Sequence, residues 1–281
     1  MNVKVEIICI GNELLIGKTL NTNAHWLAKR ATSSGADVSR VTVVKDDLSE
    51  IATALREALS RRPRFIITTG GLGPTFDDKT LEGIAKGLNR KLEANNEALK
   101  MVREKYETLL KQKKIDKIEM TPSRVKMATF PRRTHALHNP VGTAPGMVAD
   151  VEQTSVIALP GVPPEMEAIF DESVAPMLKK EAGESAFFEA SIYVGGVMES
   201  SLAPLIDRVM HDNPSVYLKS HVYTKSRPQV EGKSSHIELH FSTTNDDFLA
   251  AKKSLNKAMV QMSELVQENG GTTSIAETSQ D

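Results

Sequence analysis

Arg64-Phe65-Ile66-Ile67-Thr68-Thr69-Gly70-Gly71-Leu72-Gly73-Pro74-Thr75-Phe76-Asp77-Asp78-Lys79-Thr80 joins an apolar run to a glycine turn, a carboxylate pair and the start of a helical pattern. A short apolar run bounded by glycine has the pattern of a buried strand. Glycine accepts the positive φ and the close backbone approach that a turn around a bound group requires. Beyond the turn, Leu81, Ile84, Ala85 and Leu88 recur at helical spacing, which predicts a helix with Asp78 at its N-cap. Strand, glycine turn and helix N-terminus in that order make an anion site, because main-chain N–H groups and the positive end of the helix face one volume. Two carboxylates repel a bare phosphate, but they suit one if a hard divalent cation lies between. The local chemistry equally allows Asp77 and Asp78 only to cap the helix.

Outward from this stretch, apolar runs alternate with helical patterns: strand 3–10, helix 21–34, strand 38–44, helix 48–61, strand 65–69. A βαβαβ series implies parallel strands, with helices on both faces and ligands beyond the carboxyl ends of the strands. The loops 11–18, 45–47 and 70–78 should converge there. Asp47 with Glu50 makes a capping box for the second helix, which leaves Asp46 to face the crevice and join Asp78 at a metal. Glu13 is a third crevice carboxylate. A charged helix follows over 95–111, with an apolar side suited to the sheet or a partner subunit. Short strands at 125–128 and 147–150 flank the loop Asn139-Pro140-Val141-Gly142-Thr143-Ala144-Pro145-Gly146, too rich in proline and glycine for an element interior. A strand at 156–159 then turns through Pro160-Gly161-Val162-Pro163-Pro164-Glu165-Met166 into a helix.

The pattern divides the chain into a first domain, 1–180, a smaller α+β domain, 186–268, and a polar tail, 269–281, expected to be disordered. In the smaller domain, strand 188–194, helix 198–211, strands 216–223 and 236–241 and helix 246–267 succeed one another. The stretch 224–235 reads as a solvated hairpin loop carrying Lys225, Arg227 and Lys233.

Composition excludes several classes. With 35 basic and 36 acidic residues, net −1, no global field recruits nucleic acid or an anionic membrane. The lone cysteine, Cys9, lies in an apolar run, so an intrachain disulfide framework is ruled out and a buried thiol in a reducing cytoplasm is expected. No apolar stretch nears the roughly 18 residues of a membrane span, and a strand begins within a few residues of the start, so neither a signal peptide nor a membrane anchor is expected. Gly11-Asn12-Glu13-Leu14-Leu15-Ile16-Gly17-Lys18-Thr19 imitates a P-loop, but five residues separate its glycines where the phosphate turn needs four. The seven histidines include no His-Glu-x-x-His pair, and no Gly-x-Ser-x-Gly elbow exists.

Taken together, Gly11-Asn12-Glu13-Leu14-Leu15-x-Gly17, the Thr69–Thr80 stretch, Asn139–Gly146 and Leu159-Pro160-Gly161-Val162-Pro163-x-Glu165-Met166 resemble the CinA family, specifically its N-terminal domain, itself similar to molybdopterin-binding domains. The resemblance implies a three-layer α/β/α sandwich with a mostly parallel sheet, whose glycine loop binds a nucleotide or pterin phosphate. CinA-like domains are associated with divalent-metal-dependent cleavage of ADP-ribose, and a similar domain of some FAD synthases with FAD hydrolysis. Asp46 and Asp78 match the family's aspartates, Gly70, Gly71, Gly73 and Thr75, with Pro74 between, match its phosphate loop, and Asn139, Gly142 and Thr143 match the loop facing it. The C-terminal deamidase domain of full-length bacterial CinA is not expected in a chain of this length. The second domain looks KH-like, but it has no Gly-x-x-Gly clamp, so RNA binding is not implied.

The resulting expectation is hydrolysis of a nucleotide pyrophosphate. Asp46, Asp78 and Glu13 would hold magnesium, manganese, cobalt or nickel, and Lys126 or Thr143 would reach a non-bridging oxygen. Binding or adenylylation of molybdopterin and a non-catalytic nucleotide sensor are the alternatives. The expected assembly is a homodimer.

Overall fold

The computed structural model describes residues 3–183, 185–230 and 233–275; the side chains of 186 and 224–236 also fall outside the description. The chain forms two compact units, divided between Ala182 and Gly183.

The first unit begins β1 (Val3–Ile10), α1 (Asn12–Leu15), α2 (Thr22–Ser33), β2 (Ala36–Val44), α3 (Leu48–Ser60), β3 (Phe65–Thr69) and α4 (Thr80–Gly87). It continues through β4 (Leu92–Ala94), α5 (Asn96–Lys111), α6 (Pro122–Lys126), β5 (Thr129–Pro131), β6 (His135–Leu137), β7 (Gly146–Val151) and β8 (Thr154–Leu159). The helices α7 (Pro163–Ile169) and α8 (Ala175–Ala182), joined by a π-helical turn over Phe170–Val174, close it. Its main sheet has the order β2-β1-β3-β8-β7-β6. The first four strands are parallel, and β7 and β6 add on antiparallel, giving the expected mostly parallel α/β architecture.

Period-2 alternation makes the three layers. Ile8, Ile10 and Ile66 face one side, where they pack with Ile51 and Leu55 of α3, Ile84 of α4 and Val102 of α5. Val5, Ile7, Cys9, Phe65 and Ile67 face the other, against Leu27 of α2, Met166 and Ile169 of α7 and Leu178 of α8. Cys9 is fully buried, as expected, and burial pushes its thiol pKa up. Glu6 is a buried charge in β1, 3% exposed, and it accepts two 2.7 Å bonds from Nε and Nη2 of Arg61 just past α3. The apolar side of α5 is turned to this core, with Ala98 and Val102 buried and Leu99, Met101 and Tyr106 packed beside them.

Several local expectations give way. Residues 125–128 are not a strand: Pro122 stands at the first position of α6, and Thr121 caps it by accepting from the Arg124 N–H. The 11–18 loop contains the short α1.

The second unit comprises β9 (Ala186–Gly195), α9 (Glu199–Asp212), β10 (Tyr217–Val230), β11 (Lys233–Asn245), α10 (Phe248–Glu268) and β12 (Thr272–Ile275). Its antiparallel sheet has the order β10-β11-β9-β12, over a core that includes Ile192, Leu202, Leu239, Phe241 and Met262. The expected KH-like module ends with the second helix. β12 instead pairs with β9 and completes the β-α-β-β-α-β order of ferredoxin-like folds, so residues 272–275 are strand rather than disordered tail. Residues 276–281 lie outside the described residues. The expected hairpin loop is shorter than 224–235, since β10 and β11 extend to a Val230–Lys233 pairing. The side chains of Lys225, Arg227 and Lys233 lie outside the described residues.

Candidate functional site

The carboxyl ends of β1, β2, β3 and β8 deliver four segments to one crevice of about 420 Å³. Gly11, Glu13 and Leu14 come from the first, Asp46 from the second, Gly70–Pro74 with Asp77 and Asp78 from the third, and Pro160–Pro163 with Glu165 from the fourth. Thr143, Ala144 and Met127 close the far wall. A parallel sheet places its ligand crevice at this end.

The glycine turn is tightly held. Gly70 adopts φ +107°, and a Cβ there would lie 2.1 Å from the Ile10 carbonyl, so only glycine fits. Its N–H donates to Leu159 O, and its carbonyl accepts from the Thr80 hydroxyl at 2.7 Å. Thr80 N–H donates to Gly71 O, which ties the first residue of α4 to the turn. Among the described residues, the N–H groups of Gly71, Leu72 and Gly73 donate to no protein acceptor. Three consecutive free donors beside a cavity are an anion cradle.

Asp78 does not cap α4. Lys79 holds the N-cap position, with no side-chain cap bond. Asp78 Oδ2 instead accepts from the Thr75 N–H at 2.8 Å and the Thr75 hydroxyl at 2.6 Å, while that hydroxyl also stands 2.5 Å from Asp77 Oδ1. The Thr75 hydroxyl bond holds the Asp77 carboxyl below the usual carboxylate range. The turn thus closes on itself at Thr75, whose N–H serves Asp78 and whose one hydroxyl hydrogen is shared between the two carboxylates. Asp47 does cap α3, accepting from the N–H groups of Ser49 and Glu50. Asp46 faces the crevice, where its Oδ2 accepts from the Asn12 N–H at 2.7 Å.

Glu13, Asp46 and Asp78 thus share one cavity, but among the described residues no three His, Cys, Asp or Glu side chains are placed to hold one ion. Gly70, Gly71, Gly73 and Pro74 line the crevice as expected, whereas Thr75 holds the loop. Asn139 is buried and spent internally: its amide donates to Ala144 O and Glu165 Oε2, and its oxygen accepts from the N–H groups of Val141 and Gly142. Gly142 exists to admit Glu165, since a Cβ there would overlap that carboxylate. Thr143 lines the crevice, its hydroxyl 3.9 Å from Met127 Sδ. Lys126 lies on the other side of the glycine turn, where its ammonium donates to the Thr75 carbonyl and lines a second cavity.

Sequence patterning missed Asn23, whose amide donates to Thr69 Oγ1 and Gly161 O at 2.9 Å and joins two walls of the crevice. Nothing local marks it, because those partners are 46 and 138 residues away. Glu165 sits in a motif that carries the resemblance, yet its role as a crevice carboxylate needed the Asn139 contact to become visible.

The chain belongs to the family described as the probable molybdopterin binding domain, which matches residues 6–180. Within it, the expected kinship with CinA holds: the first unit is similar to the protein CinA of unknown function from Thermoplasma acidophilum, 41% identical, with a TM-score of 0.56 over 64% of this chain and 98% of that one. A protein of Sulfurisphaera tokodaii is 41% identical over 268 residues, covering 95% of this chain and 96% of its own. One of Aeropyrum pernix is 48% identical over 215 residues, 76% of this chain and 77% of that one. Among the described residues, no helix is long and apolar enough to cross a membrane.

Proposed function

We propose that the crevice binds the phosphate end of a pterin-type small molecule, as in molybdenum-cofactor chemistry, with the main chain of Gly71–Gly73 as its cradle. The observation that carries this is the run of three unpartnered N–H groups at the carboxyl ends of four parallel strands. An anion supplies the acceptor that the protein leaves out. The family description supports the pterin.

Hydrolysis of a nucleotide pyrophosphate, of the ADP-ribose or FAD kind, is a second reading, favoured by the presence of Glu13, Asp46 and Asp78 in the same cavity. These carboxylates form no ready-made cage. They fit a magnesium-like ion, whose usual site is one or two carboxylates completed by substrate phosphates. When bound, such an ion supplies a Lewis acid and a water of lowered pKa. Asp78 and Asp46 would orient the diphosphate toward the cradle, and Lys126 would brace the loop through the Thr75 carbonyl.

Calorimetry with inorganic pyrophosphate, beside AMP release from ADP-ribose under magnesium, manganese, cobalt and nickel, separates the readings. The first predicts saturable pyrophosphate binding, weakened at least tenfold in Gly73→Ala, because a Cβ there would lie 2.6 Å from Asp78 Oδ2 and distort the cradle. Failure of pyrophosphate to bind at all would overturn it. Metal-dependent AMP release, reduced about 100-fold or more in Asp78→Ala, would establish the second. Binding without turnover under every metal leaves a non-catalytic binder.

A further inference from the structure

Phe76 is 88% exposed, the highest exposure of any large apolar side chain among the described residues. It stands at the tip of the turn that closes on Thr75, and the turn holds it outward. Thr75 donates its N–H to Asp78, its carbonyl accepts from the Asp78 N–H at 3.3 Å, and the Lys126 ammonium donates to the same carbonyl. A phenyl ring fixed in water on a braced loop gains nothing from its own chain.

Behind the glycine turn lies a second cavity, of about 440 Å³, lined by Leu72, Leu81, Leu92, Met120, Pro122 and Val125. Gly71, Leu72, Gly73 and Asp78 line both this chamber and the crevice, so the turn is the wall between them. Leu92 is 37% exposed and Pro122 is exposed, so the chamber opens to solvent. Lys126, which grips the turn at Thr75, also lines the chamber, and the exposed ring and the apolar hole therefore belong to one face. Two charges of opposite sign flank them. Lys79 follows Phe76 by three residues, Glu82 lines the chamber, and both are half-buried. Asp47 and Asp77 feel the Lys79 charge, but among the described residues neither Lys79 nor Glu82 has a hydrogen-bond or ion-pair partner at bonding distance.

We propose that this face pairs with a second copy of the chain about a two-fold axis, the Phe76 ring of each copy entering the chamber of the other and Lys79 of each meeting the partner's Glu82. A patch that carries both a knob and its hole is self-complementary, which is the condition for an isologous contact. A buried aromatic ringed by charge pairs has the anatomy of an interface hot spot. The expected homodimer thereby gains a face, and the partner's Phe76 completes an apolar lining that one copy leaves open to water. Neither contact uses the N–H groups of the anion cradle, so pairing and phosphate binding stand or fall separately.

Sedimentation equilibrium on the full chain tests the pairing. The parent should dimerise, and Phe76→Ser should weaken the dimer at least about tenfold with an unchanged circular dichroism spectrum. Val125→Trp, which fills the chamber, should do the same. Lys79→Glu and Glu82→Lys each set like charges against one another across the two-fold axis, so each variant alone should associate less tightly than the parent. An equimolar mixture of the two restores opposite charges at both contacts and should associate at least about tenfold more tightly than either variant alone, a gain that no effect within one chain reproduces. A monomeric parent, a dimer untouched by Phe76→Ser and Val125→Trp, or a mixture no tighter than its components would overturn the pairing.

Discussion

The Glu6 carboxylate is the most consequential single charge away from the crevice. A buried ion is tolerated only when paired and hydrogen-bonded, and Arg61 supplies both through two parallel bonds. The guanidinium is 35% exposed, so solvent screens part of the pair. Arg61→Ala should therefore cost about 2–3 kcal/mol, under the roughly 3–5 kcal/mol of breaking a fully buried pair. Glu6→Gln combined with Arg61→Met should recover most of it. Guanidinium unfolding midpoints measure both; a loss under about 0.5 kcal/mol in the single variant would show the pair to be neutral. At this scale the crevice was partly legible. Gly70 and Asp46 declared themselves through turn and cap chemistry, but Asp78 did not, because its carboxylate bonds back to Thr75 instead of forward to the helix. Glu82 was invisible: a glutamate on a helical pattern reads as solvated until Leu92 and Val125 are brought beside it.

Among the elements, α3 shows a cap that sequence chemistry finds unaided. Asp47 accepts from two N–H groups of the first turn, and these bonds hold its pKa below the ordinary carboxylate value. A lowered folded-state pKa means that the ionised form stabilises the native state. The contribution is complete above the unfolded value of about 3.9 and is lost as pH falls through the folded value. Asp47→Ala should thus lower the neutral-pH melting temperature by about 2–4 °C, and the gap should close as acid protonates the parent's Asp47. A gap that persisted unchanged in acid would mean that the carboxylate charge contributes nothing. Two elements escaped sequence patterning for opposite reasons. Four residues, Val125-Lys126-Met127-Ala128, are too few for periodicity to separate strand from helix, and the cap at Thr121 with Pro122 decided it. β12 has no apolar signal of its own and exists because β9 offers it a free edge.

For the molecule as a whole, the separation of cores makes a claim about autonomy. The two clusters flanking the main sheet draw only on residues up to Ala182, and the third only on residues from Phe188 onward. A fragment of residues 1–182 should fold alone and bind pyrophosphate within about threefold of the full chain, since each unit carries its own core. Circular dichroism and calorimetry on the fragment check this, and an unfolded fragment would show that the first unit depends on the second. By itself, the sequence determined the parallel α/β architecture, the crevice at the strand ends and the small α+β unit. Those follow from hydrophobic period, glycine turns and connection length, all local in the chain. Tertiary structure alone decided which donors at the turn stay free, that the three carboxylates share a cavity without forming a metal cage, and that an apolar chamber lies behind the glycine wall. Each of these is set by distances between residues far apart in the chain, and the pattern along the chain carries no such distances.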